Sequence, residues 1–183
     1  MKIDEKQKKA YESSIAKMHE ELGIAKDYAS DRCLSLQYEP DSNDLVAIEN
    51  DVFGRPQKLT SLAAEQWAKM KKAALIDGIE LFMVSAFRSA EYQHKIFQNK
   101  LAKGQTMEQI LQVNAAPGYS EHHNGNTFDL TTPGSEPLEE EFEKTKAFEW
   151  LTTNAAKFGF YLSYPRNNKH RFIYEPWHWT YCS

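Results

Sequence analysis

Cysteine is scarce in this chain of 183 residues, which has only Cys33 and Cys182. The pair lacks the CxxC spacing of a redox or zinc motif, so neither chemistry is expected of it. One bridge could form in an oxidising compartment, but cysteines this far apart in sequence seldom meet, and two free thiols are the expectation. Long apolar runs are missing too: no segment approaches the roughly 20 apolar residues needed to cross a bilayer. The opening stretch MKIDEKQKKAYESSIAKMHEELG is charged throughout and has no apolar centre of a secretory signal. As written, the chain is expected to stay in the cytoplasm. A version trimmed of an upstream leader would look the same and would belong to the periplasm or exterior. Nor is there an excess of positive charge: 22 Lys and Arg stand against 26 Asp and Glu, which removes the general electrostatic reason to bind nucleic acid. Repeats and low-complexity tracts are absent.

What remains is an ordinary globular composition, 41% hydrophobic and 26% charged, at a length that buries a real core without disulfides or a structural metal. Over residues 6–22 the apolar positions Tyr11, Ile15, Met18 and Leu22 recur at helical spacing, and Gly23 is placed to end the helix. Leu34, Leu36 and Tyr38 alternate with polar residues, and residues 45–48 are again extended, which predicts a hairpin-like pair. A helix over 61–76 carries Ala63, Trp67, Met70 and Ala74 on one stripe, and Asp77-Gly78 breaks it before an apolar strand at 81–87. Ser89 suits the N-cap of a helix carrying Tyr92, Ile96 and Phe97, and Thr106 with Gln109 forms a capping box for a shorter one. After an acidic loop at 131–143 comes a helix with Ala147, Leu151, Asn154 and Phe158, closed by Gly159. Residues 160–181 read as strands around one polar loop. Helices and strands come in blocks without βαβ alternation, so the expected class is α+β, with a small antiparallel sheet and flanking helices on one side.

A catalytic zinc takes about three His or carboxylate ligands and keeps one position open, with a free carboxylate beside it. Two short segments offer this chemistry. In Ser120-Glu121-His122-His123-Asn124-Gly125-Asn126-Thr127-Phe128-Asp129, a histidine and Asp129 meet on one metal if a turn at Gly125 leads into a strand. In Glu175-Pro176-Trp177-His178, a stiff link holds an imidazole to bind and a carboxylate to take a proton. Each residue alone has a plainer reading. A lone histidine belongs to core or surface, Asp129 to a turn, Arg88 to a surface ion pair, Ser85 and Ser120 to strand ends, and Trp177 and Trp179 to packing.

Together these segments resemble a known family. SEHHNGNTFDL is similar to the Ser-x-His-x-x-Gly-x-x-x-Asp motif, and YEPWHW to the Glu-x-x-His motif, of the VanY-type D-alanyl-D-alanine carboxypeptidases, in the lysostaphin, D-Ala-D-Ala metallopeptidase and hedgehog group of zinc folds. The likeness runs in order from Ser85-Ala86-Phe87-Arg88-Ser89 with Gln93, through Pro117-Gly118-Tyr119-Ser120, Trp150-Leu151, Asn154-Ala155, Phe158-Gly159-Phe160 and Tyr164-Pro165, to Trp179.

The resemblance implies that His122, Asp129 and His178 hold Zn2+ and leave His123 off the metal. It implies that Glu175 is the base, that Arg88 polarises the scissile carbonyl, and that Ser120, Ser85 and Gln93 contact substrate. The length predicts one domain over 1–183, with 1–75, which the resemblance does not cover, a helical and hairpin elaboration packed on a catalytic core at 80–183. The implied activity is removal of the terminal D-alanine from a peptidoglycan stem peptide or muropeptide, as a D,D- or an L,D-carboxypeptidase; separately, a monomer is expected. A lysin-like endopeptidase and a metal-retaining binding module are the rival readings. Two departures stand out. Tyr164-Pro165 is followed by Arg166-Asn167-Asn168-Lys169-His170-Arg171 in place of a Thr-Gly loop, and Trp179-Thr180 lacks the basic residue common after the last ligand. Arg166, Lys169 or Arg171 is expected to substitute for it.

Overall fold

The computed structural model describes residues 4–182, so residues 1–3 and 183, which the sequence reading placed in the domain, lie outside the described residues. Helix α1 (Glu5–Leu22) begins at an Asp4–Gln7 capping box and ends at Gly23, whose φ of 69° suits a left-handed C-cap. Ile15 and Leu22 are its buried positions. Leu22 joins Ile24 and Tyr28, from the short helix α2 (Tyr28–Asp31), in an apolar cluster with Phe97, Ile110 and Ala116.

The hairpin differs from the expected one. Strand β1 (Leu45–Asn50) pairs antiparallel with β2 (Pro56–Thr60), not with residues 34–38. The buried carboxylate of Asp51 organises the turn, accepting N–H groups of Phe53 and Arg55 at 2.9 Å each and the Arg55 guanidinium at 2.6 Å. Residues 34–38 spend their backbone elsewhere. The Gln37 N–H donates to Gly118 O, and the Tyr11 hydroxyl donates to Gln37 O. Their alternation reflects packing rather than a ladder: Leu34 joins the apolar cluster just described and Leu36 approaches Gly118.

Helix α3 (Ser61–Ile76) buries the expected stripe, Ala63, Trp67, Met70 and Ala74, and Gly78 follows it at φ 76°. Then come β3 (Phe82–Ser85), α4 (Ala90–Ala102), α5 (Met107–Val113), β4 (Thr127–Thr131), α6 (Lys146–Asn154), β5 (Phe160–Leu162) and β6 (His178–Tyr181). Ser89 caps α4 and Thr106–Gln109 boxes α5, as their sequences predict. Tyr92, however, looks outward from α4, which buries Ala90, Gln93, His94 and Phe97 instead.

Four antiparallel strands in the order β3-β4-β6-β5 form the main sheet, and its inner face packs on α3 and α6. Phe128 on β4 sits between Trp67 and Phe160, with ring centroids 5.0 and 4.6 Å away. Truncating such a fully buried aromatic to Ala costs roughly 3–5 kcal/mol, so this layer anchors the strand that bears Asp129. The α+β class with a small antiparallel sheet and flanking helices is therefore what the chain forms.

Candidate metal centre

Asp129 and His178 are direct cross-strand partners on β4 and β6. Residues directly opposite on an antiparallel pair carry their side chains to the same face, so an imidazole and a carboxylate meet there. Asp129 Oδ1 lies 3.0 Å from His178 Nδ1. The third group comes from a 3-10 turn, Glu121–Asn124, which places His122 Nε2 3.2 Å from Asp129 Oδ2. One ligand atom from each of His122, Asp129 and His178 falls within 4.8 Å of the others, and all three residues are buried. Gly125 closes the turn at φ 70°, with the place of a Cβ already 3.0 Å from Leu45 Cδ2 and 3.1 Å from Thr60 Cγ2. Any larger residue there meets both strain and crowding.

Hydrogen bonds fix which nitrogen each ring presents. His122 Nδ1 lies 2.7 Å from the Ala86 carbonyl, so that nitrogen carries the proton and Nε2 is left for a metal. His178 Nε2 faces Glu121 Oε2 at 3.1 Å, which turns Nδ1 toward the centre. Two imidazoles and a carboxylate, oriented by outer carbonyl and carboxylate partners, fit a zinc ion well. Burial alone would strip His178 of its proton, but the bonds to Asp129 and Glu121 outweigh it and push the pKa up to about 10. Burial moves His122 the other way, below the ordinary histidine value. Asp129, despite its burial, is held well below the usual carboxylate range by the two histidines.

Glu175 lies just outside this trio, its Oε2 3.7 Å from His178 Nδ1. Burial lifts its carboxyl to about 7, against the pull of His178, so it can both accept and return a proton near neutrality. Arg88 follows the end of β3 and is gripped through its backbone. Its N–H donates to His122 O at 3.2 Å, and its carbonyl accepts from the His123 Nδ1–H. The Arg88 guanidinium is buried beside Asp129 and Glu175, and its Nε has no hydrogen-bond partner among the described residues. A buried cationic donor without a partner is one ready for charge that develops on a substrate.

A cleft of about 220 Å³ opens over the trio, with Arg88, Ser120 and Glu175 on its walls. The other two expected substrate contacts stand elsewhere. Ser85 pairs with Asp129 in the sheet and faces an adjoining hollow that shares Arg88, Asp129 and Leu138 with the cleft. Gln93 is fully buried in α4 and donates to Ala115 O at 2.7 Å, so it supports a wall segment rather than lining the wall. His123 is outside the ligand set and acts on Arg88 instead. Trp177 and Trp179 are buried, with Trp179 Nε1–H donating to Pro176 O and so bracing the Glu-x-x-His link. None of Arg166, Lys169 and Arg171 lines the cleft, which corrects the expectation that one of them replaces the missing basic group. Arg166 is spent on Glu140, Glu143 and the Tyr174 ring. Cys33 and Cys182 are both free and exposed.

Sequence reasoning missed three residues here. Glu121 was hidden as the variable position beside a ligand. Tyr164 belonged to a quoted motif, but its ring stacks on His178 at 4.6 Å, which only the fold reveals. Lys100 on the cleft wall carries no local signal at all.

A buried two-histidine, one-carboxylate centre with a free carboxylate and a guanidinium on one α+β sheet offers the groups that metal-dependent hydrolases use. Comparison with known proteins narrows this class. The family model described as VanY, D-alanyl-D-alanine carboxypeptidase, matches residues 56–183, and the chain belongs to that family. YodJ of Bacillus subtilis (strain 168) is 34% identical over 164 residues, covering 86% of this chain and 58% of YodJ. A D-alanyl-D-alanine carboxypeptidase of Enterococcus faecalis is 32% identical over 119 residues, 60% of this chain and 42% of that protein. The chain thus spans little more than half the length of YodJ and less of the enterococcal protein. Among solved structures, the LdcB LD-carboxypeptidase superposes with a TM-score of 0.69 at 34% identity, covering 79% of this chain and 69% of LdcB. The vancomycin-resistance D,D-pentapeptidase VanY of the VanB-type cassette, in complex with Zn(II), does so with a TM-score of 0.60 at 26% identity, covering 84% of this chain and 88% of that one.

Proposed function

We propose that this protein is a zinc carboxypeptidase that removes a terminal D-alanine from peptidoglycan stem peptides, as a D,D- or an L,D-enzyme. The observation that carries the reading is the juxtaposition of the His122, Asp129 and His178 trio with Glu175 and Arg88 in one cleft. His122 Nε2, Asp129 and His178 Nδ1 would hold the ion, which when bound supplies acidification of water and polarisation of the scissile carbonyl. Glu175 takes the proton of the attacking water and delivers it to the leaving amine, as a carboxyl with a pKa of about 7 is suited to do. Arg88 meets the negative charge that forms on the carbonyl oxygen, and Ser120 offers a hydroxyl to the substrate from the same wall. No covalent acyl-enzyme is needed. The reading takes residues 1–183 as one working unit and as a monomer, and the packing of α1, the hairpin and α3 on the site-bearing elements supports the first of these.

The test is to incubate the zinc-loaded protein and its Glu175→Ala variant with a pentapeptide and a tetrapeptide muropeptide and to follow released alanine by mass spectrometry. The expected outcome is zinc-dependent loss of one alanine, slowed about 10²- to 10⁴-fold in the variant, which still binds zinc. The peptide that loses alanine identifies the bond. Internal cleavage would replace the carboxypeptidase reading with an endopeptidase one. No turnover by protein holding stoichiometric zinc would sink both.

A further inference from the structure

An enzyme that trims chain ends must desolvate a free carboxylate, and that costs several kcal/mol unless a cation receives it. Among the described residues lining the cleft, the permanent cations are Arg88 and Lys100. Arg88 shares the cleft with Asp129 and Glu175 and feels the charge of both, so it stands where the reacting carbonyl must sit. We infer that Lys100 binds the free terminal carboxylate of the peptide and so makes this cleft select chain ends. The inference rests on the carboxypeptidase reading above and deepens it.

Lys100 stands in the last turn of α4, half-buried, and lines the same cleft as Ser120. It makes no salt bridge among the described residues, although other lysines on the protein, such as Lys71 with Glu49, do. Burial and the neighbouring Arg88 guanidinium both lower its pKa, and no carboxylate offsets them. Arg88 has Asp129 and Glu175 to offset its charge, whereas Lys100 has only the repulsion of Arg88, which an incoming carboxylate relieves. A position near a helix C-terminus is favourable for any lysine. That plainer account does not explain why the lysine lines a partly desolvated cleft rather than standing fully in water. The geometry also orients the substrate, with its carboxylate toward Lys100 and its scissile carbonyl between Arg88 and Glu175.

The test compares wild-type, Lys100→Met and Lys100→Arg proteins, each zinc-loaded, on a muropeptide with a free C-terminus and on the same peptide as its C-terminal amide. Lys100→Met is expected to raise KM for the free acid about 10- to 100-fold, the effect of one lost bond to a charged group, with kcat within about threefold. Its preference for acid over amide falls by the same factor, and Lys100→Arg restores most of it. Calorimetric binding of D-alanyl-D-alanine to the zinc-loaded Glu175→Ala protein, with and without Lys100→Met, reads the same loss without turnover. A Lys100→Met protein that melts normally, holds zinc and still prefers the acid overturns the inference while leaving the carboxypeptidase reading intact. A wild-type protein indifferent to amidation overturns both.

Discussion

Asp129 and His178 face one another on adjacent strands, whereas His122 and Arg88 stand on irregular backbone at the ends of β3 and the 3-10 turn. The two pairs are held in different ways. A strand position is fixed by ladder bonds on both sides and by the Phe128 layer beneath, so no single outer bond decides it. The turn pair is fixed by a few side-chain clamps: His122 to Ala86 O, His123 to Arg88 O, and Arg88 N–H to His122 O. The sheet therefore supplies a rigid half-site. The turn supplies a half-site whose accuracy depends on residues that never touch metal or substrate.

The comparison breaks most completely at Asp129, which lies within reach of both histidines. Asp129→Ala is expected to leave the dialysed protein without stoichiometric zinc in metal analysis. Retention of one equivalent would remove the sheet pair from the site. Glu121→Gln asks how far the sheet alone orients His178. If the outer carboxylate matters as it does in other zinc sites, affinity falls about 10- to 100-fold in a chelator competition. An unchanged affinity would mean that the strand and the Tyr164 stack suffice. His123→Ala tests the turn half. It should lower kcat about tenfold and the melting free energy by about 1–3 kcal/mol while zinc affinity stays put, because only the Arg88 clamp is lost. A matching fall in zinc affinity would show that the two halves are not separable.

Most of the fold was legible because its signals are local. The stripe of α3, the Asp77-Gly78 stop, the Ser89 N-cap and the Thr106–Gln109 capping box each depend on neighbours within four residues, and the structure keeps all of them. The trio of His122, Asp129 and His178 was legible through the family resemblance, since spacing alone left the histidine open, and the Gly125 turn with the β4–β6 register brings the three together. The partner of β1 was not. Alternation at residues 34–38 looks like a strand, but it arises from side chains packing on a distant turn, and sequence spacing does not distinguish the two causes. Ser85 and Gln93 show a related limit. A motif marks them as constrained without saying whether the constraint is substrate, sheet pairing or support of a wall. Glu121 and Lys100 are the reverse case, placed by the fold with nothing local to announce them.

Gly125 has a counterpart on the other side of His122. Gly118, at φ 85°, leaves its missing Cβ 2.7 Å from Ile15 Cγ2 and 3.0 Å from Leu36 Cδ1, while Gly125 meets Leu45, Thr60 and Pro40. The turn that carries His122 is thus cast against side chains from α1, the extended 34–40 segment and the hairpin. Ile15, Leu36 and Leu45 lie outside the residues that the family model matches. A graft of residues 116–130 into a relative with a different N-terminal region would lose its mould, and a larger side chain at Ile15 or Leu45 would press directly on the bare backbone of the turn. The N-terminal portion, though remote from the chemistry in sequence, is thus part of the mould in which this protein's site is set.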